Sequence, residues 1–160
     1  MNDEQAMRMA LREAETAVRE GETPIGAVIV HRGARPPESC ARILARARDQ
    51  VERLKDPTAH AEMIAITQAA HALGDWRLLD SVLYVTKEPC PMCAGAIVLA
   101  RIPRVVIGVS DPVRGGAGSV FNLLDHPALN HRCSVAFGLL EDECRTLLQS
   151  FFQSCRERIL

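Results

Sequence analysis

Residues 81–109 read SVLYVTKEPCPMCAGAIVLARIPRVVIGV. Ser81–Thr86 is rich in β-branched and aromatic side chains, which predicts a strand. Pro91–Arg101 opens on prolines and continues through small and apolar residues, which predicts a helix with proline in its first turn. Arg104–Val109 predicts another strand. Both strands are apolar without alternation, as strands covered on both faces are. Strands alternating with helices predict an α/β fold, a parallel or mixed sheet covered by helices.

The flanking sequence extends this pattern. Pro24–Val30 (PIGAVIV) predicts a buried strand, and Ile43–Arg48 a second one antiparallel to it. His31–Arg42 between them holds Gly33, Pro36 and Pro37 and reads as a loop. Ala6, Met7, Ala10, Leu11, Ala14, Ala17 and Val18 recur at helical spacing over Asp3–Glu20, with Gly21 placed to end the helix. Asp56-Pro57 predicts an N-cap and first helical position for a helix over Thr58–Leu73, stopped by Gly74. Ser119–Asp125 reads as a short helix and Ser134–Leu140 as a last strand. Cys144, Leu147, Leu148, Phe151, Phe152, Cys155 and Ile159 mark an amphipathic C-terminal helix. No repeat or linker divides residues 1–160, so one domain is expected.

Composition agrees. The chain has 160 residues, 48% hydrophobic and 24% charged, with net charge −1. That suits one hydrophobic core and excludes global disorder. The longest apolar run, Ala94–Ala100, falls far short of the ~20 residues a membrane span needs. Met1–Gln5 is polar and acidic, unlike a secretory signal, so a cytoplasmic protein without membrane attachment is expected. Bulk charge excludes generic polyanion binding. Even so, all basic residues but Lys55 and Lys87 are Arg, which suits forked contacts to phosphate or carboxylate. Of the six cysteines, only Cys90 and Cys93 have diagnostic spacing. Cys144 and Cys155 fall on the apolar stripe of the last helix, where a free thiol behaves as a small hydrophobe.

The chemistry concentrates in two places. His60-Ala61-Glu62 lies at the start of one predicted helix, and Pro89-Cys90-Pro91-Met92-Cys93 at the start of the next. One His and two Cys suit a catalytic zinc with an open position for water, whose pKa the ion lowers toward neutrality. Cys90 and Cys93 face the same way on a helical turn. Helix N-termini favour the thiolates. Glu62, two residues beyond His60, would lie ~200° away from it on an ideal helix. The two converge only if His60 sits in the frayed first turn. Glu62 then serves as the proton carrier between water and a leaving nitrogen. Alone, a CxxC is often a redox pair or a core turn. A thioredoxin-type reading leaves His60 and Glu62 without a purpose.

Residues 56–62 (DPTAHAE) and 88–97 (EPCPMCAGAI) resemble the bacterial tRNA-specific adenosine deaminases, a branch of the zinc-dependent cytidine/deoxycytidylate deaminase superfamily. The resemblance covers nearly the whole chain. It includes Pro24–Val28, Asp111-Pro112, Gly115–Ser119 and His126–Arg132. It implies a cytidine-deaminase-like three-layer α/β/α fold with a mixed five-stranded sheet, and a homodimer. It implies one zinc per subunit on His60, Cys90 and Cys93, with Glu62 as the catalytic proton shuttle. The implied reaction converts adenosine to inosine at the wobble position of a tRNA anticodon loop. Backbone groups around Ala61 and Pro89 would place the base. Glu22, Pro24, Asp111, Asn130 and the helix carrying Phe152 would contact the splayed loop. Arg156 and Arg158 either meet phosphates or are an ordinary solvated helix end.

Two departures keep other readings open. Asp49 stands where the family has an Asn against the purine edge. Ionised Asp only accepts hydrogen bonds, whereas Asn also donates, and adenine N3 and N7 are acceptors. A protonated Asp49, a displaced Asp49 or a donor-rich base such as guanine would each resolve this. The segment Ala34–Ile43 is also longer than the family's hairpin connection. The alternatives are a zinc deaminase of a free purine such as guanine, and a zinc-holding RNA-binding module without turnover. An intact Glu62 argues against the last.

Overall fold

The computed structural model describes residues 1–33 and 41–158. Most of the long Ala34–Ile43 connection therefore lies outside the described residues. Helix α1 (Asp3–Arg19) starts from a capping box between Asn2 and Gln5. Strands β1 (Gly26–His31) and β2 (Arg42–Arg48) pair antiparallel, as the sequence predicts. Then follow α2 (Val51–Leu54), α3 (Ala61–Leu73), β3 (Ser81–Lys87), α4 (Pro91–Leu99), β4 (Arg104–Val109), β5 (Ser134–Phe137) and α5 (Glu141–Glu157).

The five strands form one mixed sheet in the order β2-β1-β3-β4-β5. β3 runs antiparallel to β1 and parallel to β4, and β4 is parallel to β5. Side chains alternate across the sheet and create two cores. Ala27, Ile29, Leu83, Val85, Val105 and Ile107 pack with α3 and α4 on one face. Val28, Val30, Val82, Tyr84 and Val106 pack with α1 and α5 on the other. The three-layer α/β/α architecture follows directly. Contact of α1 with β1 depends on Gly26, where a Cβ would lie 1.9 Å from the Ala10 carbonyl oxygen. Across the same layer, Asp3 ties α1 to the sheet through Arg32, Arg104 and the Tyr84 hydroxyl.

Several boundaries differ from expectation, among them the start of β1, which lies at Gly26 and not Pro24. Helix α3 begins at Ala61 with His60 as N-cap, not at Thr58 with Asp56. The Asp56 carboxylate instead accepts from the backbone N–H and hydroxyl of Thr58, closing an Asx turn. Ser119–Asp125 is not helical. Its backbone joins a folded loop in which Val120 and Phe121 donate to the Gly115 carbonyl. β5 stops at Phe137 because Gly138 and Leu140 adopt positive φ. α4 stops at Leu99, two residues early, and Arg101 carries φ 60°. On α5, Cys144 is buried as expected, whereas Cys155 is only half-buried.

The clash at Gly26 gives a test of the α1–sheet contact. Gly26→Ala is expected to destabilise the chain by about 1–3 kcal/mol, because the backbone of α1 must move to admit the methyl group. Urea unfolding monitored by circular dichroism measures it.

Candidate active site

Pairing direction collects the site. β1 begins where β2 and β3 end, because Gly26 pairs with Arg48 and Ala27 with Val85. Lys87 pairs with Val109, so β4 ends at the same edge. The chain segments around Glu22, Asp49, Glu88 and Asp111 therefore meet at one edge of the sheet. α3 and α4 both start there.

His60 and Cys90 are the N-caps of α3 and α4. His60 has extended backbone angles, φ −74° and ψ 153°, so it stands outside the helical rotation. That is the condition under which His60 and Glu62 can share a site. His60 Nδ1 lies 3.6 Å from Cys90 Sγ and 3.4 Å from Cys93 Sγ. Among the described residues these three form the one cluster whose ligand atoms all lie within 4.8 Å of each other.

Their electrostatics suit a cation. The hydrogen bond from Cys93 holds the Cys90 thiol down at about 3, and His60 adds to that effect. Cys93 is pushed up by the same bond and by burial. A metal ion bound by both thiols would displace any proton they hold. His60 is raised, first by its bond to Cys90. Borderline-soft N and S donors in this number match zinc in a site with an open position. Glu62 is buried beside them, and its Oε2 has no hydrogen-bond partner. Burial, and then the nearby Asp49, push its carboxyl up to about 7. An orphaned buried oxygen next to three converging donors fits a metal site that also holds water.

A cavity of about 340 Å³ opens onto this cluster. Its walls include Glu22, Asp49, His60, Glu62, Cys90, Asp111 and Phe152, all singled out in the sequence. Glu88, Lys87 and Arg114 also line it, and nothing in the sequence assigned them a part. Glu88 was visible inside the EPCPMC motif, but a glutamate in a motif does not announce its partners. Pro24, Ala61, Pro89 and Asn130 do not line the cavity. Pro24 is buried, and Asn130 is exposed.

Several of these groups are already engaged by the protein. Both Glu22 oxygens accept from the backbone of α2, at Glu52 and Arg53, 3.0 and 2.7 Å away. The Ala61 N–H donates to Asp49 Oδ1 at 2.8 Å. The Pro89 carbonyl accepts from Gly116 at 2.7 Å. Asp49 therefore does stand at the site, buried, and burial raises its carboxyl to about 6. Asp111 pairs with Lys87 at 2.7 Å, which together with backbone donors holds it below the ordinary carboxylate range despite its burial. The walls thus carry the carboxylates of Glu22, Asp49, Glu52, Glu62, Glu88 and Asp111 against two side-chain cations, Lys87 and Arg114.

Known proteins match this arrangement. Residues 1–109 fit the family model of the cytidine and deoxycytidylate deaminase zinc-binding region. The tRNA-specific adenosine deaminase of Bacillus subtilis (strain 168) is 46% identical over 156 residues, covering 98% of this chain and 92% of that protein. A solved structure from work on A-to-I editing by tRNA:A34 deaminases at the wobble position of transfer RNA superposes with TM-score 0.82. It is 42% identical and covers 90% of this chain and 99% of that one. The guanine deaminase of Bacillus subtilis is 34% identical with TM-score 0.62, covering 98% and 95%. Matched over most of its length, and with one His and two Cys donors set for a single zinc per subunit, the chain belongs to the zinc-binding cytidine and deoxycytidylate deaminase family.

Proposed function

We propose that this chain hydrolytically deaminates adenosine to inosine at the wobble position of a tRNA anticodon. The observation that carries the chemistry is the unpartnered, buried Glu62 Oε2 beside His60, Cys90 and Cys93. The 46% identity to a tRNA-specific adenosine deaminase over almost the full length supports the substrate. His60, Cys90 and Cys93 hold the zinc, which when bound supplies Lewis acidity and makes water a nucleophile near neutral pH. Glu62 accepts the proton of the attacking water and delivers it to the amino nitrogen at C6. The C6–N bond then breaks and ammonia leaves.

The cavity's charge supports a neutral guest. A wall dominated by carboxylates repels phosphate and accepts the amino group of a base. A flipped nucleobase suits that interior, with its phosphates left at the mouth. Phe152, 44% exposed on α5, offers a face on which an unstacked neighbouring base can rest. Arg156 in the last turn of α5 and Arg158 at its C-cap would meet phosphates of such a loop. We read residues 1–160 as one deaminase domain working in the cytoplasm, where tRNA is processed. Among the described residues no helix is long and apolar enough to cross a membrane.

Asp49 favours a second reading. Its acceptor oxygens suit the donors of guanine N1–H and the exocyclic amine better than the acceptors of adenine. The two readings separate in one product assay with zinc-loaded protein. The substrates are an anticodon stem-loop with adenosine at the wobble position, free adenosine and free guanine. Inosine in the stem-loop with both free compounds untouched is the expected result. Conversion of guanine alone overturns it. Asp49→Asn is expected to keep or raise activity on the stem-loop, since the amide adds a donor. A purine-base deaminase would lose activity with the same change.

Two further outcomes follow from the assigned roles. Glu62→Gln is expected to bind zinc at one per chain yet lose at least about 100-fold in kcat, the range of a missing general acid–base group. His60→Ala and Cys93→Ala are expected to lose the metal itself, as read by elemental analysis of purified protein.

We also infer a homodimer. α4 packs its Cys93, Ala94, Ile97 and Val98 inward and still presents Leu99 70% exposed and Met92 half-exposed. Sedimentation equilibrium at micromolar concentration is expected to give twice the chain mass, and a monomer there would overturn the inference.

A further inference from the structure

Glu88 is almost wholly buried at the end of β3, two residues before Cys90, and its carboxylate serves one loop only. Oε2 accepts from the Asp111 N–H at 2.8 Å and from the Ser119 hydroxyl. Oε1 accepts from the Ala117 and Ser119 N–H groups, each at 3.1 Å. The loop is shaped to reach these oxygens. A Cβ on Gly115 would lie 2.4 Å from Glu88 Cδ, and one on Gly116 would lie 3.0–3.1 Å from Ala94 and the Cys90 backbone. Gly116 N–H also donates to the Pro89 carbonyl at 2.7 Å. Residues 111–119 are therefore laid directly on the Glu88-Pro89-Cys90 segment.

That loop supplies one wall of the reaction cavity, through Asp111 and Arg114. The Asp111 carboxylate in turn accepts from the Val113 and Arg114 N–H groups and pairs with Lys87. One buried charge thus fixes Asp111, which fixes the turn bearing Arg114. Hydrogen bonds to an ionised acceptor are the stronger kind, so four of them on one carboxylate hold the loop to a single position. Among the described residues, Glu62, Cys93 and the N-caps His60 and Cys90 make no side-chain hydrogen bond to this loop, although the loop packs on the Cys90 backbone.

We infer that Glu88 is a positioning residue for substrate: it seats the 111–119 loop so that Asp111 and Arg114 form the wall that receives the nucleotides around the reacting base. The inference rests on the proposed RNA substrate for its kinetic consequence, but not for its structural one. Glu88→Gln is nearly isosteric, yet its NH2 must face a backbone N–H wherever it is placed, at Asp111 or at Ala117 and Ser119. Gly115→Ala reaches the same end by another route, pushing the loop off an intact carboxylate.

The test pairs hydrogen exchange with kinetics on zinc-loaded protein. For both variants, peptides spanning 111–121 are expected to exchange faster by mass spectrometry while those of α3 and α4 keep their protection and zinc stays at one per chain. KM for the anticodon stem-loop is expected to rise about tenfold or more, with kcat changed by less than about threefold. Unchanged exchange in 111–121, or unchanged KM with the loop loosened, overturns the inference. So does a fall in zinc content and kcat together, since Glu88 would then serve the Cys90 segment and not the substrate wall. If the parent protein converts no stem-loop, the RNA reading fails, and the exchange measurement still decides whether Glu88 seats the loop. If Glu88→Gln does not fold, Gly115→Ala decides alone.

Discussion

Two helix N-termini meet at one spot, and the rest of the molecule is arranged around the electrostatic consequence. His60 ends the chain's approach to α3 and Cys90 its approach to α4, each in extended conformation just outside its helix. Helix N-termini carry partial positive charge and unpaired N–H groups, so bringing two together invites anionic groups and stabilises thiolate. The hydrogen bond from Cys93, with His60 adding to it, holds the Cys90 thiol far below its ordinary range. The same convergence brings the imidazole and both sulfurs within coordinating reach of one ion. His60 and Cys90 leave the backbone at caps and Cys93 in the first turn of α4, so all three donors sit at helix N-termini.

Carboxylates gather around that spot, and most of them are bound to backbone. Glu22 caps α2, Asp49 holds the Ala61 N–H at the start of α3, and Glu88 gathers the loop after β4. Asp111 caps the turn that follows it. Each buried charge is thus compensated by directed N–H groups, which is how a protein keeps ionisable groups out of water without a counter-ion for every one. Glu62 departs from this rule. One of its oxygens is buried without a partner, and burial pushes its carboxyl to about 7. Among the described residues Glu62 is the one carboxylate with a buried oxygen left unpartnered, which sets it apart from its neighbours.

Asp49 shows how the scaffold constrains specificity. One of its oxygens is committed to the Ala61 N–H, so the side chain cannot turn away from the metal-ligand helix. Whatever base enters the cavity meets this carboxyl at a fixed place. The mixed sheet enforces that, since β2 runs antiparallel to β1 and delivers residue 49 to the same edge as the ends of β3 and β4.

Much of this was legible in the chain itself. Apolar runs without alternation in β1, β3 and β4 required a sheet covered on both faces, and the helical spacing of apolar residues in α1 and α5 required helices to cover it. His60, Glu62, Cys90 and Cys93 were identifiable because their chemistry depends on residue type and short spacing, both of which are local. What the sequence could not settle were competitions between backbone partners. Asp56 had the look of an N-cap, but its carboxylate closed on Thr58 and left His60 to begin α3. Ser119–Asp125 looked helical, but its N–H groups were claimed by Glu88 and the Gly115 carbonyl. Glu88 itself carried no sequence signal of its task, because its four donors come from residues 23 to 31 positions away. Local patterning therefore determined the sheet, the helices that cover it and the residues suited to a metal. Only the tertiary structure decided which carboxylates are spent on the backbone and which one stays free, since that depends on donors brought close by strand order and pairing direction.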